Sequence, residues 1–269
     1  MAVSLYEVKM SVHWHGGPIW GDKQTPTDWL IKALYRDGCS LVSFARPEQM
    51  KKIANIPCQI WLDNGAFSRW SKAKKTRKVV DWDAVWNQYY DFVGGWFSRI
   101  SWFLIPDVIE GSETENDALI KRVPPWLMEK AVPVWHSDES IERLIRLATL
   151  FPRVAIGCCG PHRMIRTKPW EKRMDEVFRE IYITREMDVK LHGLRMLDVR
   201  VLSMYPFASA DSTNVAVNVP LTEKRFPEVT DKLERTAVMR AAIETVYPPT
   251  VSEWLMKKSS EPLQASFDF

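Results

Sequence analysis

The chain has 269 residues, 46% hydrophobic and 26% charged, with a formal net charge of +3. That balance excludes an intrinsically disordered, collagen-like or disulfide-scaffold protein. No apolar run reaches the roughly 18 to 20 residues of a membrane span, and the N-terminus lacks the apolar stretch of a signal peptide, so a cytoplasmic enzyme or binding protein is expected.

Short apolar, β-branched runs alternate with amphipathic segments along the chain. The first strand is predicted at 6–13 (YEVKMSVH), followed by a helix over 27–37 that Pro26 introduces. Proline is well placed there, because its missing N–H would be unpaired anyway. A strand at 40–45 precedes a helix at 47–55, opened by Pro47, and a strand at 59–64 leads into the basic run RWSKAKKTRK, six cations and no acid between Arg69 and Lys78. A helix follows at 81–97, then a strand at 101–108, a helix at 113–121 and a strand at 131–136. In the next helix, 139–151, Ile141, Leu144, Ile145 and Ala148 form a core stripe. A strand at 153–158, a helix at 169–187 and strands at 189–194 and 207–213 complete the alternation. Terminal helices are expected at 228–246 and 250–258, and a frayed tail at 259–269.

Strand–helix alternation implies parallel strands, and eight such units in roughly 250 residues predict a TIM (β/α)8 barrel. No glycine-rich phosphate loop follows the first strand, which argues against a Rossmann-type open sheet. Without repeats or a long linker, residues 1–258 read as a single domain and 259–269 as a flexible tail. The four cysteines (39, 58, 158 and 159) have neither disulfide-framework nor zinc-site spacing.

In a barrel, reactive groups project from the C-terminal ends of strands. Those positions hold His13 and His15, then Asp63 and Asn64, Asp107, His136, Gly157-Cys158-Cys159-Gly160, His192-Gly193 and Asp211-Ser212-Thr213. One such aspartate alone is commonly a helix cap or a turn residue. Several acids and histidines converging on one rim are harder to explain that way, because buried charges must be paired or used. Thirteen tryptophans is a high count, and Trp70 stands inside the basic run. Most should be core, but aromatics among cations also suit stacking on nucleobases.

These segments resemble a family. Asp63-Asn64-Gly65-Ala66-Phe67 resembles the Asp-Ser-Gly-Gly-Phe segment of the tRNA-guanine transglycosylases, and Ala155-Ile156-Gly157 their base-binding glycine strand. His192-Gly193-Leu194 resembles their strand-seven motif, and Asp211 in Ala210-Asp211-Ser212-Thr213 lies where they carry a nucleophilic aspartate. The order DNGAF, PDVI, PVWH, AIG, HG, DST is more similar to the phage and bacterial DNA branch, which inserts 7-deazaguanines into DNA. The resemblance covers roughly residues 6–215. The Cys-x-Cys-x-x-Cys zinc insertion of the tRNA enzymes has no counterpart here, and Trp135-His136 replaces their glutamine-type base reader.

The resemblance implies exchange of guanine in DNA for a free 7-deazaguanine base, without a cofactor, in the cytoplasm of a bacterium or a phage-infected host. It assigns Asp211 as nucleophile and Asp63 as acid/base, in the double-displacement manner of retaining glycosidases. Asp107 would accept from the guanine amidine edge, Gly157 would let the backbone approach the base, and Phe67 or Trp135 would stack on it. His136 and His192 could each be a pocket group or a satisfied core histidine. A guanine inside a duplex would have to be flipped out. Arg69, Lys72, Lys74, Lys75, Arg77 and Lys78, extended by Arg163 and Arg166, are expected to hold phosphates. Gln264 to Phe269 resembles a peptide that docks on a sliding clamp, unless the two phenylalanines fold back onto the barrel. The rival enzyme reading is a metal-dependent amidohydrolase, with His13, His15, His136, His192 and Asp211 as ligands. The same residues also leave room for a transglycosylase acting on tRNA, or for a DNA-binding protein without catalytic activity.

Overall fold

A computed structural model describes residues 12–17, 19–219 and 227–260. The tail from 261 onward, with its clamp-peptide resemblance, lies outside the described residues, as does most of the first predicted strand. Nine strands are present among the described residues: β1 (His13–Gly16), β2 (Cys39–Ser43), β3 (Gln59–Asp63), β4 (Trp102–Leu104), β5 (Ala131–Val132), β6 (Val134–His136), β7 (Arg153–Gly157), β8 (Lys190–Gly193) and β9 (Ser209–Ser212). All their pairings are parallel, in the order β5-β4-β3-β2-β1-β9-β8-β7-β6.

The two ends of that order are neighbours in the chain. Only Pro133 separates β5 from β6. Having no N–H, it cannot continue a ladder, yet its carbonyl accepts from Ala155 at 2.9 Å. The fold is therefore an α/β arrangement around a nearly closed parallel sheet, compatible with a TIM-like barrel. The predicted fifth strand, 131–136, is the pair β5 and β6.

The helices are α1 (Thr27–Tyr35), α2 (Met50–Ile53), α3 (Ala66–Thr76), α4 (Trp82–Trp96), α5 (Glu113–Ile120), α6 (Ile141–Leu150), α7 (Lys168–Arg179), α8 (Val199–Met204), α9 (Asn214–Asn218), α10 (Lys232–Glu244) and α11 (Val251–Ser260). Side-chain caps fix several starts: Asp81 for α4, Ser112 with Glu115 in a capping box for α5, and Ser140 for α6. Helix α7 runs on into a π-helical turn, Glu180–Thr184, so the predicted 169–187 segment is two forms of helix. Most of the basic run lies in helix α3, for which no helix was predicted, and that helix's one buried residue is Ala66. No helix among the described residues is long and apolar enough to cross a membrane.

Period-two alternation sorts the strand residues into an inner and an outer set. Inside, Trp14, Cys39, Trp61, Leu104, Val132, Val134 and Ala155 form one cluster. Trp14 meets Trp61 edge-on at 5.3 Å, and the Arg153 guanidinium lies over Trp61 at 5.7 Å and Trp102 at 5.1 Å. Several tryptophans thus fill the barrel. Outside, the helices bury Leu30, Tyr89, Trp135, Trp170, Phe178 and Trp254 against the sheet.

Candidate active site

Trp61 points into the barrel, so Asp63, two residues on in β3, points the same way at the C-terminal rim. The Asn64-Gly65 turn then redirects the chain into α3. Gly65 has φ of 76°, and a Cβ there would stand 2.7 Å from the Ala45 backbone nitrogen, so only glycine fits. Asn64 occupies the position between these two. Its amide nitrogen donates to the Ile105 carbonyl at 2.8 Å and to Asp107 Oδ1 at 2.7 Å, while its oxygen accepts from the Ala66 N–H at 2.8 Å. One side chain thereby fixes the β3 and β4 loops to each other.

Asp107 is buried, and its second oxygen accepts from His136 Nε2 at 2.9 Å. Burial works against charge on His136, but the hydrogen bond and charge of Asp107, with the charges of Glu139 and Asp138, outweigh it and raise the imidazole above its ordinary range. Glu139 accepts from the His136 N–H at 2.8 Å, Asn116 at 3.0 Å and Arg143 at 2.5 Å. Arg143, itself buried, also reaches Asp117 at 2.8 Å and the Val134 carbonyl at 3.0 Å. Gly157 faces this group: a Cβ there would lie 3.0 Å from His136 Cδ2.

On the other side of the rim stands Asp211, buried on β9. Its Oδ1 accepts the Arg195 backbone N–H at 3.0 Å and meets His192 Nε2 at 3.3 Å. Arg195 has φ of 61°, an uncommon conformation for a residue with a side chain. His192 Nδ1 is 2.8 Å from Ser209 Oγ, which lies 3.3 Å from Arg153 Nη1. Burial lowers the His192 pKa, so the neutral ring is favoured and carries one N–H. A consistent assignment has Arg153 donating to Ser209, Ser209 donating to Nδ1, and Nε2–H donating to Asp211. This polar chain runs through the barrel interior to the rim.

Asp63 stands between the two groups. Burial pushes its carboxyl up to about 6. Hydrogen bonds from Ser43 and Gly65 oppose that rise, while the charges of Asp211 and Asp107 reinforce it. The rim therefore holds three carboxyl groups in different environments, one of which can carry a proton near neutral pH.

The remaining predicted positions fall into place differently. Trp135 is fully buried on the outer face, donating to the Ser140 carbonyl at 2.9 Å under the Arg173 guanidinium, so it cannot stack on a base. His13 and His15 lie on β1 rather than beyond it. They face α10 and the residues just after it: His13 Nε2 is 2.6 Å from the Val246 carbonyl, and His15 Nε2 is 3.2 Å from Glu244. They do not join His136, His192 and Asp211, and among the described residues no three His, Cys, Asp or Glu side chains could hold a metal ion. Arg69 turns inward, donating to the Phe44 carbonyl at 3.1 Å over the Phe44 ring, which removes it from a phosphate track. Phe67 is 43% exposed, with the Arg195 guanidinium 4.2 Å above its ring. Lys72, Lys75, Arg77 and Lys78 are exposed, Lys74 pairs with Glu110 at 3.3 Å, and Arg163 and Arg166 lie exposed after β7, Arg166 beside Asp198 at 3.6 Å.

Glu139, Arg143, Arg153, Arg195 and Ser209 are the site residues that strand-end reasoning passed over, and Asn64, which it reached, was given no role. A signal existed for two: Glu139 and Arg143 follow His136 and each other at helical spacing. No protein-family model matches the chain, and neither does any curated protein.

Proposed function

We propose that the protein is a DNA-guanine transglycosylase built on a (β/α)8 barrel, exchanging guanine in cytoplasmic DNA for a free 7-deazaguanine. The observation that carries this reading is the contrast between Asp63, pushed up to about 6, and Asp211, held as an acceptor by Arg195 and His192. Asp63, which burial makes hold its proton more tightly, suits acid/base work, and Asp211, oriented by the Arg195 N–H and His192, suits nucleophilic work. Asp211 attacks C1′ of the flipped nucleotide, forming an aspartyl–sugar bond as the bond from C1′ to guanine breaks. Asp63 gives its proton to the departing guanine. The incoming base then returns a ring N–H proton to Asp63 and attacks C1′, which releases the Asp211 carboxylate.

Asp107 offers the remaining lone pairs of its oxygens to the base edge, since Asn64 and His136 use only one on each. Phe67 provides an exposed ring beside the acids, and Gly157 leaves room against His136. The test is incubation with guanine-containing DNA and labelled guanine, with tRNA as the parallel substrate. Label should enter DNA, and Asp211→Asn should abolish incorporation while leaving DNA binding largely intact. Incorporation into tRNA alone, or full activity of Asp211→Asn, would overturn the reading.

A further inference from the structure

Helix α3 is out of keeping with the rest of the fold. Helix α4, which follows it, buries Trp86, Tyr89, Tyr90 and Val93, whereas α3 buries Ala66 alone. A helix without a core face needs another source of order. Its surface is also one-sided in charge, with cations and no acid between Arg69 and Lys78. Along it runs a ladder of rings and cations. The Arg195 guanidinium caps Phe67 at 4.2 Å, Phe67 meets Trp70 at 5.7 Å, and Lys74 Nζ lies 4.6 Å above the Trp70 ring. Positions 67, 70 and 74 share one face of the helix. The ladder starts at the residue whose N–H holds Asp211 and leads away from the rim.

We propose that this face of α3 is a binding track for single-stranded nucleic acid, with Trp70 stacking a base that neighbours the nucleotide in the site. The inference rests on the transglycosylase reading for what enters the site, but not for the track. Cations alone would suit the outside of a duplex, where phosphates are exposed and bases are not. Rings set between cations suit an unpaired strand, because any base can offer its face to them and sequence matters little. Lys74 is held meanwhile by Glu110, a carboxylate at the place a phosphate would take. Glu110 therefore competes with the strand.

The experiment uses a labelled oligothymidylate about 16 nucleotides long, at the upper end of such site sizes, with fluorescence anisotropy as readout and the matching dT·dA duplex alongside. This probe contains no guanine, so its binding is independent of base exchange. The wild-type chain should bind the single strand more tightly than the duplex. Trp70→Ala should weaken single-strand binding by about tenfold, the lower part of the range for one stacked base. Trp70→Phe should restore most of it, which excludes loss of the fold as the cause. Glu110→Gln should tighten binding a few-fold. Unchanged affinity in Trp70→Ala, or a duplex bound as tightly as the single strand, would overturn the track even if exchange proves correct. Binding as described without any exchange would leave the track standing and remove the transglycosylase reading.

Discussion

Replacing Asp63 by asparagine should make the protein more stable and inactive at once. The folded state raises this carboxyl from 3.8 to about 6, chiefly by burial. Each pKa unit is worth about 1.36 kcal/mol, so burying the charged form costs about 3 kcal/mol. The sign follows from which state holds the proton more tightly. Here the folded state does, so the penalty is absent below about pH 4 and fully present above about pH 6. Asparagine never carries the charge and keeps one acceptor oxygen for Ser43 or Gly65. Losing the other hydrogen bond returns about 1 kcal/mol, leaving a net gain of about 2 kcal/mol at pH 8. For a chain of this size that is about 5 °C in Tm. Thermal melts of both proteins at pH 4.5 and pH 8 measure it: the gain should appear at pH 8 and vanish or reverse at pH 4.5. Base exchange should be lost at both. A gain of the same size at both pH values, or a loss at pH 8, would refute a shielded Asp63.

Two further outcomes test the groups around the acids. Arg143→Met leaves Glu139 buried without its cation and should cost about 3 to 5 kcal/mol, read as a lower urea midpoint; adding Glu139→Gln should recover part of it. Ser209→Ala removes the hydroxyl that sets the His192 ring nitrogens, and should slow exchange roughly fivefold, about 1 kcal/mol, with DNA affinity unchanged; an unaltered rate and pH profile would show that the Arg153–Ser209–His192 chain does not act on Asp211.

The alternation of strand and helix was legible because helices such as α6 carry an apolar stripe and strands such as β3 and β7 are short apolar runs between them. Helix α3 was not, and the reason is the same rule applied in reverse. Its residues include good helix formers, lysine and alanine, but it buries no stripe, and a reading keyed to stripes sees only a charged connection. The division of one predicted strand into β5 and β6 was written in Pro133. Read with its neighbours, a proline inside an apolar run announces that the ladder changes partners there.

Within the site, the acids at 63, 107 and 211 were legible because strand ends in a parallel barrel converge whatever the sequence between them. The misplaced residues fail on parity. His136 faces the rim, so Trp135 beside it must face the helices; Trp14 faces the interior, so His13 and His15 must face α10. Residues next to each other on a strand face opposite ways, and the register that sets Trp14 beside Asp211 therefore puts His13 and His15 on the other face of the sheet from Asp211. What no local rule supplies is the pairing across the barrel. Asn64 meets Asp107, and Arg153 meets Ser209, only because β3 adjoins β4 and the interior brings β7 to β9. An arginine at the first position of a strand reads as a solvated end. Half-buried between Trp61 and Trp102, with its guanidinium brought down to about 10 by loss of solvent, it is instead the base of a polar chain that ends on Asp211. The surroundings of Asp211 are therefore set from the bottom of the barrel as well as from the rim.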